Sequence, residues 1–324
     1  MAFLSTFAFG MKIIYPLVRA FFYALSLLPF RVLYVISDVL YVLVYRIVGY
    51  RKRVVRHNLE TAFPQKDKKE LRHIEHRFYR FFCDYLVETI KLLSITPDEM
   101  LRHIEFHGLE VMERCFDEGQ TSAAILGHYC NWEYLSTTGL GFERHKDAVV
   151  GLIYHPLKSK VMDRLFIDLR QHIGGRCVPK QDILRHLLTL RREGRMSLFG
   201  YISDQAPKWE NTHLWLPFLH HDTPVFTGGE KIMRKMNNAV FYVEMQRPRR
   251  GYYVVDFRLI TRQPAEMEPD GITKRFFELL EQTICRQPEY YLWTHNRWKR
   301  THEEFDQRFV VKNGRVIKRE EADK

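Results

Sequence analysis

Five apolar runs that alternate with helical stretches constrain the fold of this chain more than any other feature. The runs are each of strand length and comprise residues 123–126, 148–154, 196–202, 239–243 and 252–260. Helical patterns accompany them at residues 131–142, 158–173, 180–193, 228–236 and 271–286. Strands that alternate with helices of this length indicate βαβ units. The sequence therefore predicts an α/β fold with a mostly parallel central sheet flanked by helices.

The composition sets wider limits on the class of protein. A chain of 324 residues with 46% hydrophobic residues can bury a large core and is not of disordered composition. The five cysteines form no CxxC pair, which indicates neither a disulfide framework nor a cysteine zinc site and favours a reducing compartment. The net charge of +11 suits nucleic acid, an anionic membrane surface or an acidic partner protein.

The N-terminal region is the most apolar part of the chain. Residues 13–50 are mostly aliphatic and aromatic, but uncharged runs such as residues 20–30 are about half the ~20 residues that a spanning helix needs. Three interpretations are open: one imperfect span over residues 20–45, an amphipathic helix pair broken near Pro29 and lying in the membrane interface, or a buried helical hairpin.

A basic cluster follows this apolar region directly and contains Arg51, Lys52, Arg53 and Arg56. Basic residues beside a membrane segment favour the cytoplasmic face and attract anionic headgroups. We therefore predict an N-terminal membrane-associated helical segment over residues 1–50. A helical segment over 51–110, with one helix over residues 66–93, is expected to pack on an α/β core over 111–324.

Polar side chains follow two of the predicted strands. His128 comes after the first run and Gly127, and Asp204 comes after the third run. Ligands bind beyond the carboxyl ends of parallel strands. We therefore expect His128 and Asp204 to converge on one site.

A second acidic residue, Glu133, lies five positions after His128. Within one continuous helix the two side chains would point ~140° apart. They can meet if His128 lies in the strand-to-helix turn and Glu133 in the first helical turn, with Asn131 as the N-cap. The Glu133 carboxylate would then hold one imidazole nitrogen and leave the other free as a base.

An ordered set of short motifs extends over most of the chain, from about residue 15 to residue 300. The set comprises residues 58–64 (Asn-Leu-Glu-Thr-Ala-Phe-Pro), Gly127-His128-x4-Glu133, Tyr154-His155-Pro156, Gly174-Gly175, Ser203-Asp204-Gln205, Leu216-Pro217-Phe218, Thr227-Gly228 and residues 293–299 (Trp-Thr-His-Asn-Arg-Trp-Lys). Together these motifs resemble the lipid A biosynthesis late acyltransferase family, within the lysophospholipid acyltransferase superfamily.

The resemblance implies transfer of a fatty acyl chain, usually from acyl carrier protein and alternatively from acyl-CoA, to a hydroxyl of a lipid A precursor. It implies the cytoplasmic face of the bacterial inner membrane, without a metal or cofactor. The implied catalytic residues are His128 as general base and Glu133 as its orienting partner. The implied substrate-binding residues are Asn131, Arg170, Asp204 and Gln205, with Arg170 meeting substrate phosphate or the developing oxyanion.

Two departures from the family pattern concern the acceptor. His155 and Asn296 stand where the family commonly carries arginine, and each loss removes a basic group that could contact phosphate. A glycerolipid or aminolipid acyltransferase of the same superfamily is an alternative, although residues 193–195 (Glu-Gly-Arg) lack the threonine of that subgroup's motif. A basic membrane-bound scaffold or nucleic-acid-binding protein is a third, but no nucleic-acid motif is found and we predict no nucleic-acid partner.

Two further features receive structural interpretations. Cys130 lies beside His128, and we interpret it as a small core residue rather than a nucleophile. Arg247, Arg249 and Arg250 flank Pro248 in a predicted hairpin, and we interpret them as a solvated turn.

Overall fold

The computed structural model describes residues 2–312 and 314–322. Its α-helices are α1 (Ala2–Ser26), α2 (Phe30–Tyr41), α3 (Lys52–Ala62), α4 (Lys68–Lys91), α5 (Pro97–Leu101), α6 (Leu109–Asp117), α7 (Lys160–Gln171), α8 (Ile183–Arg192), α9 (Gly228–Met236), α10 (Gly271–Arg286), α11 (His302–Arg308) and α12 (Arg319–Ala322). Its strands are β1 (Ile104–His107), β2 (Ser122–Leu126), β3 (Val149–Tyr154), β4 (Arg176–Pro179), β5 (Ser197–Ile202), β6 (Leu214–Phe218), β7 (His221–Val225), β8 (Ala239–Arg249), β9 (Tyr252–Thr261), β10 (Phe309–Lys312) and β11 (Arg315–Lys318). Segments Trp132–Gly141, Trp209–Asn211 and Pro288–Tyr290 are 3₁₀-helical, and Val42–Val48 is π-helical.

The central sheet has seven strands in the order β1-β9-β8-β2-β5-β3-β4. Strands β8, β2, β5, β3 and β4 run parallel to one another, whereas β9 returns antiparallel to β8 and pairs in parallel with β1. Strand β2 lies at the centre and is buried along its whole length. The predicted α/β class with a mostly parallel sheet is therefore confirmed.

The five predicted strands are all present, and β8 extends six residues beyond the predicted end at Val243. The short strands β1 and β4 and the hairpin β6–β7 were not predicted. The helix predicted over residues 131–142 is instead a 3₁₀-helix. Its hydroxyl side chains give a physical reason, because Ser136, Thr137 and Thr138 each bond the carbonyl oxygen three residues earlier, at 2.7–2.8 Å.

The N-terminal region forms two helical arms broken at Pro29. The arms Lys12–Ser26 and Phe30–Val48 meet at 113°, so residues 20–45 do not form one continuous helix and the predicted break near Pro29 is confirmed. The interfacial placement of the pair stays a prediction. Within the described residues, no one helix has the length and apolarity to cross a membrane, although the bent pair together does. The buried-hairpin interpretation is also wrong, because apolar side chains such as Leu17, Val35 and Ile47 are more than 60% exposed.

The turn between β8 and β9 is exposed at Pro248, Arg249 and Arg250, as predicted for a solvated turn, but two of its arginines also form ion pairs that were not predicted. The side chain of Arg247 is buried and pairs with the buried Asp84 of α4 at 2.7 Å. Arg250 reaches Asp84 at 2.6 Å and Asp38 of α2 at 2.8 Å. These ion pairs fix the second N-terminal arm to α4 and to the sheet.

Candidate active site

The centre of the site lies where β2 and β5 end side by side. Leu126 and Ile202 are register partners, and the amide of Ser203 donates to the carbonyl oxygen of Leu126 at 3.0 Å. His128 and Asp204 each lie two residues beyond these strands, and His128 Nδ1 is 2.6 Å from Asp204 Oδ1. The two side chains therefore converge as the strand ends predicted.

Gly127 lies close to α10. A Cβ atom at residue 127 would lie 2.8 Å from Leu280 Cδ1, whereas its 3.6 Å distance to Asp204 Cβ would be an ordinary contact. A larger residue would therefore press on the Leu280 side chain.

The Asp204–His128 pair is set up for proton transfer. Burial opposes ionisation of the Asp204 carboxyl, but the charge and hydrogen bonds of His128, with the charge of Arg297, outweigh it and lower the pKa of Asp204. The ionised carboxylate accepts a hydrogen bond, so the proton of a neutral imidazole lies on Nδ1. Nε2 then keeps its lone pair, and 18% of the His128 side chain is exposed.

Two residues surround that free nitrogen. The amide nitrogen of Gln205 lies 3.2 Å from His128 Nε2 and donates to it. The ring of Trp132 packs edge-on against the imidazole, with centroids 5.0 Å apart. Gln205 therefore occupies the side of the imidazole that faces away from Asp204.

Glu133 does not hold His128, which corrects the geometry inferred from the spacing. Its buried carboxylate is held bidentately by Arg170, with Nε to Oε2 and Nη2 to Oε1 both 2.7 Å. Trp132 Nε1 also donates to Glu133 Oε1 at 3.2 Å. The reason is topological: α7 crosses the 3₁₀-helix and presents Arg170 to Glu133, whereas Asp204 reaches the imidazole from the neighbouring strand end.

Arg170 is tied to this position by its surroundings. Burial disfavours the charged form, but the charge and hydrogen bonds of Glu133 outweigh it and raise the pKa of Arg170. Behind the arginine, a Cβ atom on Gly175 would lie 2.4 Å from the Arg170 carbonyl oxygen. The Gly174-Gly175 motif therefore lets the chain turn back closely after α7.

Asn131 stands at the N-cap position but makes no capping bond. Its fully buried side chain donates to Glu88 Oε2 at 2.9 Å, and Glu88 also accepts from the hydroxyls of Tyr253 and Tyr34. In the structure Asn131 thus anchors the turn after His128. Contact between Asn131 and substrate stays a prediction.

Cys130 is the structural residue that the sequence indicated. Its side chain is fully buried, and burial raises the pKa of the thiol well above its usual range. Its backbone has a φ of 54°, which for a residue with a Cβ atom is strained. The strain accompanies the sharp turn between His128 and the 3₁₀-helix.

A C-terminal segment over residues 292–297 contacts this turn. It supplies two residues, His295 and Arg297, to which the sequence gave no role. The amide of Leu292 donates to the His128 carbonyl oxygen at 3.1 Å. Arg297 is buried and lies near Asp204, and its Nε and Nη1 have no hydrogen-bond partner among the described residues. Burial lowers the pKa of the neighbouring His295 to about 4, so this second histidine is neutral. The motif over residues 293–299 was the available signal for both.

Sequence comparisons relate the chain to a family of known proteins. Residues 2–300 match the model of a family described as bacterial lipid A biosynthesis acyltransferase. The chain is 23% identical to the lipid A biosynthesis lauroyltransferase of Escherichia coli, over 84% of this chain and 87% of the relative. It is 22% identical to the palmitoleoyltransferase of the same organism, over 77% and 79% of the two chains. A lipid A biosynthesis acyltransferase of Haemophilus influenzae is 19% identical, over 73% and 72%.

Proposed function

We propose a specific reaction for this chain, which belongs to the bacterial lipid A biosynthesis acyltransferase family and is an acyltransferase. The enzyme moves a fatty acyl chain from the thioester of acyl carrier protein, or of acyl-CoA, to a hydroxyl of a lipid A precursor. The observation that carries the mechanism is the 2.6 Å contact between His128 Nδ1 and the buried Asp204.

His128 is the general base of the proposed reaction. Asp204 holds Nδ1–H, so Nε2 takes the proton of the acceptor hydroxyl as its oxygen attacks the thioester carbonyl. The acceptor hydroxyl takes the place of the Gln205 amide at Nε2, and Gln205 then binds the acceptor. When the tetrahedral intermediate collapses, the C–S bond breaks and the imidazolium returns the proton to the leaving thiolate.

The Glu133–Arg170 pair has a different task in this proposal. Glu133 occupies Nε and Nη2 of Arg170, which fixes the guanidinium and leaves Nη1 for a ligand. A fixed cation beside the reacting carbonyl stabilises the oxyanion without reorganisation. Glu133 is therefore a positioning residue, and Arg170 is the group that meets the oxyanion.

We place the reaction at the cytoplasmic face of the bacterial inner membrane. Of the 19 large hydrophobic side chains that are exposed in the described residues, 14 lie between Ile13 and Tyr50. Exposed apolar side chains concentrated in one segment are costly in water and suit a bilayer interface. The basic cluster at residues 51–56 lies where it would meet anionic headgroups. The anchoring role of residues 1–50 belongs to this proposal.

The test uses the full-length protein in neutral detergent with a lipid A precursor and either acyl carrier protein or CoA thioester. Mass spectrometry of the precursor should show a gain of one acyl chain. His128→Ala should lower the rate by roughly 10²–10⁴-fold, because a positioned base contributes that much.

His145→Ala is the matched control, since His145 bonds Asp117 near the opposite edge of the sheet, and it should leave the rate unchanged. Near-normal turnover by His128→Ala would overturn the mechanism. Acylation of lysophospholipid, with no mass gain by the precursor from either donor, would favour the glycerolipid alternative.

A further inference from the structure

A cavity of about 800 Å³ lies between α1 and α7, apart from the site just described. Residues of α1, including Tyr15, Arg19 and Tyr23, form one wall, and residues of α7, including Arg164 and Asp168, form the other. Cavities of this size hold small molecules or lipid headgroups.

The charged groups of the cavity leave it with an excess of positive charge. Asp168 is shared by two arginines, with Arg19 Nε at 3.3 Å and Arg164 Nε at 3.1 Å, and it also accepts from the hydroxyl of Tyr15. Both ion pairs use Nε, and the Arg19 guanidinium also lies over the Tyr23 ring, 5.9 Å from its centroid. Both arginines are about half exposed, so their terminal N–H groups can be reached by a further anion. Arginine forks match the oxygens of phosphate.

The position of the cavity on α1 indicates where the anion comes from. Cavity residues Tyr15, Arg19 and Tyr23 share one face of α1, and the exposed Leu17 and Phe21 lie on the other, since two residues correspond to about 200° of rotation. With the apolar face in the acyl layer, the cavity face lies at the depth of the headgroups. This step rests on the membrane placement in the proposed function.

The cavity is distinct from the catalytic centre. Arg164 and Asp168 lie one turn apart on α7, whereas Arg170 lies about 200° from Asp168 and points to Glu133. A ligand in the cavity therefore binds the outer face of the helix whose inner face holds the Glu133–Arg170 pair.

We propose that this cavity binds the phosphate headgroup of an anionic lipid. Arg19 and Arg164 hold the phosphate oxygens while the acyl chains descend beside α1 into the membrane. The occupant is a lipid, because the cavity lies at headgroup depth beside an exposed apolar helix face.

The test is calorimetric titration of the full-length protein in neutral detergent with dihexanoyl phosphatidic acid. We expect one equivalent to bind, and the double variant Arg19→Gln/Arg164→Gln should bind about tenfold more weakly, because two ion pairs made by half-exposed arginines are lost. The matched double variant Arg31→Gln/Arg46→Gln removes the same charge from exposed positions outside the cavity and should bind like the wild type. Arg164→Gln alone should give an intermediate loss, which guards against misfolding of the double variant.

Three results would overturn the proposal: no binding of the probe, an equal loss in both double variants, or inorganic phosphate binding as tightly as the lipid. The last result would mean a site for small anions. His128→Ala should bind the probe normally, so failure of the lipid site and failure of the proposed reaction are separate outcomes.

Discussion

The strand-end half of the site and its helical half both bury a carboxylate against a basic side chain, yet the two halves suit different tasks. At the strand ends, Asp204 holds a histidine that is partly exposed and able to exchange a proton. At the 3₁₀-helix, Glu133 holds an arginine, which keeps its charge at any working pH. A buried acid beside a base is therefore not enough to assign the role of the acid, because its basic partner decides whether the pair supplies a proton or a fixed charge.

Replacement of Asp204 should have the largest effect within this comparison. Asp204→Asn keeps the size of the side chain but removes the charge that selects the Nδ1–H tautomer, so kcat should fall on the order of 10²–10⁴-fold. The measurement is kcat and KM for acyl transfer, with circular dichroism to check the fold. A loss below about threefold would show that the tautomer does not depend on Asp204.

Glu133→Gln should have a smaller effect on the rate and a larger one on stability. A less firmly held Arg170 is displaced from the oxyanion, for which we expect a loss of about tenfold to a hundredfold in kcat. Breaking a buried ion pair also destabilises the fold by roughly 3–5 kcal/mol. The pH dependence of kcat should keep its shape, because His128 and its partner Asp204 are both retained. A changed profile would place Glu133 beside the base after all.

His295, in the strand-end half of the site, should affect the stability of the fold rather than the rate of the reaction. Its pKa is about 4 in the folded protein, against about 6.5 in an unfolded chain. As the pH falls, the unfolded chain takes up the proton first, so stability is full above pH ~6.5 and decreases toward pH ~4, by on the order of 3 kcal/mol. Urea unfolding should show a weaker pH dependence for His295→Gln than for the wild type. An identical pH dependence in the two proteins would mean that folding does not lower the pKa of His295.

The sequence predicted the parts of this molecule that local patterns determine. Runs such as residues 196–202 and helices such as 228–236 were found where period and apolarity placed them. Strands β1 and β4 have only four residues each, too few to give a period. The 3₁₀-helix was missed because its hydroxyl side chains override the helical pattern.

The site likewise has a part that the sequence predicted and a part that it did not. That His128 and Asp204 would meet followed from strand ends, because parallel neighbours end at one edge of a sheet. Which carboxylate holds the imidazole did not follow, since it depends on β2 lying next to β5 and on α7 crossing the turn. Spacing along the chain favoured Glu133 as the partner of the His128 imidazole. Only the packing of Arg170 against Glu133 excludes it. Two nitrogens of Arg297 lack a partner among the residues that the structure describes, and this too is a property of packing that no motif reveals.

The most direct test of the central claim is a pair of double-mutant measurements in the His128→Ala background, with residual acyl transfer followed by mass spectrometry. If Asp204 acts through His128, Asp204→Asn should cost less than about threefold once the imidazole is gone, because groups that act as a unit are not additive. Glu133→Gln should cost its full factor in that background, since it acts through Arg170. The reverse result would be no effect of Glu133→Gln and a full effect of Asp204→Asn in that background. It would contradict the account, because Glu133 rather than Asp204 would then act through His128.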